Sequence, residues 1–309
     1  MFKQGINLSE HTSYRIGGPA RYFCTAKNVE EIEKAVLRAS NEKLPIFVLG
    51  GGTNIVFSDD GYDGVILKPS LSRLEDKNGL VFVEGSVLMT DLLDFAATKG
   101  LSGLEWAGGL PGTLGGAIRG NAGAFGGEIK DSIVEVVSLR IQDGKTYLMR
   151  RTATQCNFGY RNSVFKTSPY QEIILFATLK MGKGSKKEIR NSIEEKIAYR
   201  FSRHPMEYPN AGSMFKNVPV HQFSEDVFSE LASHVKTDPF PVIPAAYLIS
   251  QTDLRGVGIG GAMISPKHPN FIVNVLHATA ADISSLANLV EATIHDKFGV
   301  DLEREVMYV

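Results

Sequence analysis

Cysteine, tryptophan and clusters of basic residues are scarce in this chain. Its 309 residues include two cysteines and one tryptophan, and Cys24 and Cys156 are 132 positions apart with no CxxC pair. We expect both to be buried thiols, which excludes a disulfide framework and a cysteine-based metal site, and we expect no metal. The net charge is −1 and no run of lysine or arginine is present. A nucleic acid is therefore not an expected partner, because nothing would neutralise its backbone.

Long apolar stretches are also missing. No window approaches the ~18 apolar residues that a membrane span needs, and the first residues lack the apolar run of a signal peptide. We therefore expect no membrane span and a cytoplasmic location. Apolar residues make up 43% of the chain and charged residues 22%, which is ordinary for a globular protein. A length of 309 residues favours two or three domains.

Capping residues and apolar spacing predict three helices. Asn28 caps a helix from Val29 to Asn41, Ser185 caps a second helix, and Thr279 caps a third. Short β-branched runs lie between these helices, and Asp143-Gly144 joins two of the runs as a hairpin. The mixture predicts an α+β protein built from several subdomains. The predicted strands are residues 46–49, 65–67, 80–83, 134–141, 173–179 and 271–276.

Glycine is concentrated in one segment. Nine of the 31 glycines lie in residues 108–127, where an even distribution over 309 residues would place about two. Because glycine permits positive φ and close backbone approach, we expect this segment to wrap around a large polar ligand. A second turn, Gly50-Gly51-Gly52-Thr53-Asn54, offers a nest of N–H groups to a pyrophosphate, with a purely structural turn as the alternative. Its spacing is not GxGxxG and no long helix follows, which disfavours a Rossmann dinucleotide fold.

The two glycine-rich segments belong to a longer series of motifs. In chain order the series resembles the signatures of the UDP-N-acetylenolpyruvoylglucosamine reductases, flavoproteins of bacterial peptidoglycan precursor synthesis. The resemblance implies a two-part FAD-binding domain of the PCMH or vanillyl-alcohol-oxidase type and a C-terminal α+β substrate domain. It also implies FAD and NADPH as cofactors and an enolpyruvyl sugar nucleotide as the small-molecule substrate. The motifs are residues 15–20, 50–54, 103–105, 111–117, 121–124, 159–165, 210–217, 259–262, 267–274 and 302–306.

The resemblance also implies domain boundaries. Residues 1–70 would form a first FAD-binding subdomain completed by residues 300–309, residues 71–200 a second, and residues 201–299 the substrate-binding domain. The interval of 52 residues from Arg161 to Ser213 is similar to the shorter, type II class of the family, which lacks an inserted substrate-covering loop. A monomer is favoured.

The resemblance assigns the chemistry to three residues from distant parts of the chain. Hydride passes from N5 of reduced FAD to the terminal carbon of the enolpyruvyl group, and Ser213 protonates the neighbouring carbon. Arg161 and Glu305 hold and polarise the substrate carboxylate as enolate character develops. The implied FAD-binding residues are Gly50, Gly51, Gly52, Thr53, Asn54, Ile55, Pro111, Gly112, Thr113, Gly115, Gly116, Asn121 and Gly123. The implied substrate-binding residues are Tyr160, Arg200, Arg203, Lys216, Asn217, His268 and Asn270.

Several of these residues also have a structural interpretation. Taken alone, Ser213 is a turn residue, Arg161 an ion-pair residue and Glu305 a solvated carboxylate near a terminus. Capping a turn before the strand 271–276 is the alternative role of His268 and Asn270. The lone tryptophan, Trp106, is predicted to lie in the core rather than against the flavin.

The chain departs from the family pattern in several places. Met307 stands where the family usually has arginine, Tyr247 where lysine is common, and Arg203-His204 where Lys-Gln is common. Residues 218–242 form a stretch about twenty residues longer than usual, with spacing that predicts a short amphipathic helix. This stretch is either a lid over the sugar nucleotide or a surface insertion, and the insertion is favoured. The remaining alternatives for function are a flavin oxidase of the same cofactor fold and a catalytically silent UDP-sugar-binding protein.

Overall fold

The computed structural model describes residues 2–237 and 240–309, and it divides into two compact units. The first unit contains the residues up to Ile6, Ala20–Gly51 and Tyr62–Arg200. The second contains Asn7–Pro19, Gly52–Gly61 and Phe201–Val309. Two short N-terminal segments therefore belong with the C-terminal third of the chain. The division at residues 70 and 200 and the subdomain completed by residues 300–309 stay predictions.

Helices and short strands alternate irregularly along the chain, and the predicted α+β class is confirmed. The α-helices are α1 (Val29–Asn41), α2 (Met89–Lys99), α3 (Leu114–Gly120), α4 (Val164–Thr167), α5 (Lys186–Arg203), α6 (Glu225–Leu231), α7 (Ala245–Ser250) and α8 (Ala280–Phe298). The strands are β1 (Phe2–Lys3), β2 (Ile6–Asn7), β3 (Pro19–Ala26), β4 (Ile46–Val48), β5 (Ile55–Val56), β6 (Tyr62–Pro69), β7 (Leu74–Lys77), β8 (Leu80–Glu84), β9 (Leu101–Ser102), β10 (Gly123–Ala124), β11 (Gly127–Glu128), β12 (Ile133–Gln142), β13 (Lys145–Thr152), β14 (Glu172–Lys180), β15 (Gly182–Lys183), β16 (Val218–Pro219), β17 (Val242–Ile243), β18 (Gly258–Ile259), β19 (Ala262–Ile264), β20 (Ile272–Asn274) and β21 (Met307–Tyr308).

Besides the two-stranded ladders β10-β11 and β9-β15, the first unit contains two larger sheets. In one, β6 lies between β3 and β4 and pairs with both in parallel, with α1 as the crossover between β3 and β4. The other is antiparallel, in the order β13-β12-β14-β8-β7. The predicted hairpin is confirmed, because Asp143 and Gly144 both have positive φ (50° and 71°) between the paired residues Gln142 and Lys145. Asn28 caps α1 as predicted, by accepting a hydrogen bond from the N–H of Glu31.

The interior of the first unit contains both cysteines and the tryptophan. Cys24 and Cys156 have no exposed surface, and they are free thiols as predicted. Burial raises the pKa of the Cys156 thiol to about 11, so this cysteine is a core residue rather than a nucleophile. Trp106 is 8% exposed and packs in a cluster with residues of α2, α3 and the antiparallel sheet. The prediction that Trp106 is a core residue is confirmed.

Helix α8 organises the second unit. Its predicted cap is confirmed, since Thr279 and Asp282 form a capping box and Gly299 ends the helix with φ 66°. Five apolar side chains of α8 are buried in the core of the unit, which also includes residues of the sheet β18-β19-β20. The predicted strand 271–276 is shorter than expected, because the N–H groups of Val275 and Leu276 both donate to the carbonyl of Gly261 and leave the ladder.

The segment 218–242 is anchored at both ends by pairing of β16 with β17. Its predicted short helix is confirmed as α6, and Phe223 and Leu231 are buried in the core of the second unit. The segment thus adds apolar side chains to that core, while its role as a lid or an insertion stays a prediction. Residues 238 and 239 of the segment lie outside the described residues.

A buried ion-pair network crosses the antiparallel sheet. The Glu172 side chain has no exposed surface and accepts two hydrogen bonds of 2.7 Å from Arg151, one of 2.7 Å from Ser138 and one of 3.2 Å from Arg140. Burial alone would raise the pKa of Glu172, but the hydrogen bonds from Arg151 and Ser138 outweigh it and the pKa is lowered. The packing of β12, β13 and the start of β14 therefore depends on an ionised carboxylate.

We expect Glu172→Gln to lower the free energy of unfolding by about 3–5 kcal/mol at pH 7, because it leaves the buried Arg151 without a counter-charge. Since the folded-state pKa of Glu172 lies below its unfolded value, its contribution is complete above the unfolded pKa and is lost as pH falls through the folded pKa. Denaturant unfolding at pH 7 and pH 3 measures both effects. The control Glu75→Gln removes a carboxylate that is 42% exposed and should change stability by less than about 0.5 kcal/mol. Equal stability of Glu172→Gln and wild type at pH 7 would contradict this role.

Candidate active site

Two glycine-rich turns of the first unit lie against each other. A Cβ atom added at Gly51 would lie 2.7 Å from Cα of Gly112, and one added at Gly50 would lie 3.1 Å from Oγ1 of Thr113. Real Cβ atoms do not approach backbone atoms as closely as the Gly51 position requires, so Gly51 accepts no side chain. The glycines therefore bring two stretches of bare backbone together, as the sequence predicts for the wall of a ligand site.

The backbone N–H groups of these turns have no internal acceptor. In the described part of the chain, the N–H groups of Gly50, Gly51, Gly112 and Thr113 donate no hydrogen bond. Gly50 is exposed and Gly51 and Gly112 are half-buried, so these open donors can reach an external acceptor. Successive N–H groups of this kind bind anions such as a pyrophosphate.

Gly115 and Gly116 contribute differently. The N–H of Gly115 donates to the carbonyl of Gly85 at 2.8 Å, and the N–H of Gly116 donates to Oγ1 of Thr113 at 3.3 Å. A Cβ on Gly115 would lie 3.0 Å from the same Gly85 carbonyl oxygen. These two glycines therefore allow α3 to start close to the strand β8, and their N–H groups are already used inside the unit.

Asn121 and Gly123 support the loop that carries Arg161. Asn121 is fully buried, and its Nδ2 donates to the carbonyl of Gly159 at 2.9 Å while its Oδ1 accepts the N–H of Lys130 at 3.4 Å. The carbonyl of Gly123 accepts a hydrogen bond of 2.9 Å from Nη2 of Arg161. The sequence predicts both residues as FAD contacts; the structure shows that the Asn121 side chain is engaged inside the protein.

Arg161 lies in a tight turn. Gly159 and Asn162 exchange both backbone hydrogen bonds, which places Tyr160 and Arg161 at the centre of the turn. Arg161 has a φ of 52°, a left-handed conformation that is strained for a non-glycine residue. Its guanidinium lies 5.4 Å from the centroid of the Tyr160 ring. Strain of this kind is typical of side chains that a site must aim in one direction.

Arg200 lies near Arg161 in the first unit. It is in the last turn of α5, and its Nε donates to the carbonyl of Gly108 at 2.8 Å. Burial, together with the positive charge of Arg161, lowers the pKa of Arg200. The structure therefore brings together two predicted site residues that are 39 positions apart, and their like charges favour an anionic ligand.

In the second unit, the residues that follow the glycine triplet hold the C-terminal strand. The backbone carbonyl of Asn54 accepts the N–H of Met307 at 3.1 Å, and its Nδ2 donates to the carbonyl of Glu305 at 3.0 Å. Ile55 continues the contact by pairing in parallel with Met307. Thr53 makes no described hydrogen bond, and Gly52 has a φ of 66°. Asn54, predicted as an FAD contact, therefore also positions the residue predicted to act in catalysis.

Ser213 and Glu305 lie on neighbouring stretches of backbone in the second unit. The N–H of Glu305 donates to the carbonyl of Met214 at 2.8 Å, and the N–H of Lys216 donates to the carbonyl of Glu303 at 2.9 Å. Within the described residues, the Ser213 hydroxyl has no hydrogen-bond partner. The structure thus places a serine with an available hydroxyl next to the segment that carries the carboxylate.

Asn270 holds this arrangement from the other side. Its side chain is 3% exposed, and it accepts the N–H of Phe215 at 3.0 Å and donates to the carbonyl of Phe215 at 2.9 Å. Both ends of the amide are therefore used to fix the backbone two residues after Ser213. Asn217 accepts the N–H of Ala245 at 3.2 Å, at the start of α7.

The remaining predicted substrate residues are cations or rings of the second unit. Lys216 forms an ion pair with Glu303, and Arg203 makes no hydrogen bond or ion pair within residues 2–237 and 240–309. His268 packs at 4.8 Å from the ring of Phe271, and its buried Nδ1 has no hydrogen-bond partner in the described part of the chain. Burial, strengthened by the charges of Lys236 and Arg255, lowers the pKa of His268 to about 4, so the ring is neutral at neutral pH.

The first unit thus combines bare glycine backbone, open N–H donors and two guanidinium groups, which suit a dinucleotide, and its family match places it in the FAD-binding class. Residues 20–148 match the family of the FAD binding domain, and the α+β fold is of the PCMH-like type. Residues 204–309 match the C-terminal domain of UDP-N-acetylenolpyruvoylglucosamine reductase.

Whole-length comparisons agree with both matches. The chain is 37% identical over 313 residues to the UDP-N-acetylenolpyruvoylglucosamine reductase of Lachnoclostridium phytofermentans, covering 98% of this chain and 91% of the relative. It is 36% identical over 304 residues to the enzyme of that name from Listeria monocytogenes, covering 98% and 93%. The crystal structure of the reductase from Thermus caldophilus superimposes with a TM-score of 0.78 at 28% identity, over 100% of both chains. The chain belongs to the UDP-N-acetylenolpyruvoylglucosamine reductase family, a family of oxidoreductases.

Neither a membrane-spanning helix nor a metal cluster is found in the part of the chain that the structure describes. None of the described helices is both long and apolar enough to cross a membrane. Among residues 2–237 and 240–309, no cluster of histidine, cysteine, aspartate and glutamate side chains has the arrangement of a metal site.

We expect Gly51→Ala to weaken FAD binding about ten- to a hundredfold, because its Cβ would force the Gly112 backbone away at a cost of about 1–3 kcal/mol. The matched control is Gly120→Ala, since a Cβ at this helical position meets nothing within 4 Å. Titration of each apoprotein with FAD, followed by flavin fluorescence, measures the affinities. FAD affinity of Gly51→Ala equal to that of wild type would contradict a cofactor wall at this turn.

Proposed function

We propose that the protein is an FAD-containing enzyme that uses NADPH to reduce UDP-N-acetylenolpyruvoylglucosamine to UDP-N-acetylmuramate. The main structural support is the backbone hydrogen bonding between the Ser213 and Glu305 segments, in which an available hydroxyl lies beside the segment that carries the carboxylate. Further support comes from the two relatives named above, whose name states this reductase activity and which are 36–37% identical over 98% of the chain. A cytoplasmic location and the two-part FAD domain at residues 1–70 and 71–200 belong to the same proposal.

The residues of the first unit are compatible with FAD. Gly51 and Gly112 leave a groove that a Cβ would fill, and the open N–H groups of Gly50, Gly51, Gly112 and Thr113 supply donors for a diphosphate. When bound, FAD accepts hydride from NADPH and supplies hydride to the enolpyruvyl double bond. The role of the protein is then to hold the substrate carboxylate, to exclude water and to deliver one proton.

Ser213 is proposed as the proton donor. Addition of hydride to the terminal carbon of the enolpyruvyl group leaves negative charge on the neighbouring carbon and its carboxylate, and one proton completes the reaction. A serine hydroxyl is a weak acid, so it can act only where surrounding groups stabilise the alkoxide that remains. The Ser213 hydroxyl has no internal hydrogen-bond partner in the described part of the chain, which leaves it available to the substrate.

Arg161 is proposed to hold the substrate carboxylate. Its guanidinium is fixed by the Gly123 carbonyl and by the strained turn, so it meets an anion with little reorganisation. The planar fork of arginine matches the two oxygens of a carboxylate, whose charge grows as the enolate forms. Arg161 would therefore bind the intermediate more tightly than the substrate, which is the requirement for catalysis.

Glu305 is proposed to assist the same carboxylate region from the second unit. Its backbone is held twice, by the carbonyl of Met214 through its N–H and by Nδ2 of Asn54 through its carbonyl. A carboxylate positioned in this way can accept a hydrogen bond from the substrate or from a protonated group and so orient it. A backbone held at two points limits the movement of the side chain.

We expect Ser213→Ala to leave reduction of FAD by NADPH unchanged and to slow reoxidation by the enolpyruvyl substrate about 10²–10⁴-fold, because only the second half-reaction needs the proton. Anaerobic stopped-flow absorbance of the flavin measures the two halves separately. Ser285→Ala, an exposed position on α8, serves as the control and should retain both rates. Rapid reoxidation of Ser213→Ala would remove the serine from the mechanism.

The same flavin absorbance, followed with and without oxygen, separates this function from the two alternatives. A flavin oxidase would reoxidise with oxygen as fast as with the enolpyruvyl substrate. A silent UDP-sugar-binding protein would be colourless, since it would take up no FAD. We expect the purified protein to show a flavin spectrum and to need the enolpyruvyl substrate for fast reoxidation.

A further inference from the structure

Phe125 occupies a position that disfavours it. It lies with Gly126 in the two-residue turn between β10 and β11, and the two residues have φ values of 50° and 82°. Two-residue hairpin turns with positive φ at both central positions are normally filled by Asn-Gly, Asp-Gly or Gly-Gly. Phenylalanine in this conformation is strained, and its side chain is also 43% exposed. Neither turn formation nor core packing explains an aromatic residue here.

The ring of Phe125 contacts cations of α5. The Cζ atom of Arg200 lies 5.5 Å from the ring centroid and Nζ of Lys196 lies 5.6 Å from it, both within the range of a cation–π interaction. The ring of Tyr199 contacts Phe125 edge to face at 5.3 Å between centroids. Lys196 has a carboxylate partner, because its Nζ lies 3.1 Å from Glu195.

Arg200 has no carboxylate partner in the described part of the chain. Its Nε donates to the carbonyl of Gly108, and its buried Nη2 has no hydrogen-bond partner among the described residues. Gly109 lets the side chain lie flat, since a Cβ there would be 2.8 Å from Cδ of Arg200. The guanidinium is therefore fixed by a carbonyl and an aromatic ring, and neither of them neutralises its charge.

A carboxylate would fix an arginine equally well, but it would also cancel the charge and occupy the donors. A ring face orients the cation while leaving its outer N–H groups available. Burial and the nearby charge of Arg161 together lower the pKa of Arg200, which means that its charged form is destabilised at this position. A bound anion would stabilise the charged form.

We propose that Phe125 is a positioning residue that holds Arg200 through a cation–π contact, so that the guanidinium of Arg200 receives an oxyanion of the bound ligand. The oxyanion is a carboxylate or a phosphate, and the enolpyruvyl sugar nucleotide and NADPH each carry at least one such group. The identity of these ligands rests on the proposed function, whereas the anion site rests on the geometry alone. The strain at Phe125 is then tolerated because it serves ligand binding.

The first test separates the turn from the site. Phe125→Asn suits the positive φ of the turn, so the FAD-loaded variant should unfold at the same temperature as wild type or higher. Isothermal titration of the same protein with inorganic pyrophosphate should show binding about two- to fivefold weaker than wild type. Phe125→Tyr retains the ring and should restore wild-type affinity. A residue with only a structural role would move stability and affinity in the same direction.

Two controls connect the effect to Arg200. In the double variant Phe125→Asn/Arg200→Ala, the loss of affinity should not exceed that of Arg200→Ala alone, because the ring acts only through the guanidinium. Phe82→Leu removes a comparable ring of the same unit, which lies 4.5 Å from the guanidinium of Arg73, and should leave pyrophosphate binding unchanged. Additive losses in the double variant would overturn the proposal.

Three further ligands identify the source of the oxyanion. A loss confined to UDP-N-acetylenolpyruvoylglucosamine assigns the carboxylate, an equal loss with UDP-N-acetylglucosamine assigns the sugar-nucleotide diphosphate, and a loss confined to NADPH assigns a phosphate of the reductant. The proposal is overturned if wild type binds no pyrophosphate or if Phe125→Asn binds it as tightly as wild type. Failure of the proposed function appears separately, as absence of turnover by wild type.

Discussion

The close contact between the backbones of Gly51 and Gly112 is the constraint on which the first unit's candidate site depends. Two turns can approach in this way only without side chains, and only then do their N–H groups remain open toward one ligand. Other parts of the glycine segment use the same freedom for different purposes. Gly115 starts α3 close to Gly85, and Gly123 offers its carbonyl to Arg161. One compositional feature therefore makes the candidate cofactor wall and also supports Arg161, the arginine proposed to hold the substrate carboxylate.

Local features of the fold could be predicted from the sequence. Asn28, Thr279 and the Asp143-Gly144 turn act through hydrogen bonds and φ angles within a few residues, and each is where the sequence predicts it. The strand ending at Asn274 is shorter than predicted, because the carbonyl of Gly261, next to the neighbouring strand β19, accepts both of the next two N–H groups. Apolar periodicity carries no information about such a competitor.

The candidate site could be predicted only in part. The family resemblance identifies the residues of the site, but it does not predict the hydrogen bonds that several of them make inside the protein. Asn121 and Asn54 were expected to contact the cofactor; the structure shows the first holding the Arg161 loop and the second holding Glu305 from a distance of 251 residues in sequence. Phe125 was missed altogether. Its signal was present, since phenylalanine followed by glycine in a two-residue turn contradicts turn preference, and such conflicts are expected at functional positions.

The segments of the second unit are far apart in the sequence, so the ribosome synthesises them at different times. Tyr14 is fully buried and its hydroxyl donates to the carbonyl of Ile272, while Asn274 donates to the carbonyl of Tyr14. At about 5–20 residues per second, the ribosome needs on the order of 10 to 50 s to make the intervening chain. Throughout that interval residues 7–19 have no native partner in the C-terminal third. Tyr14 and Ile16 must therefore avoid other hydrophobic contacts until α8 and its sheet have been synthesised. Misfolding can start at this short segment during that interval, and chaperones would act against it.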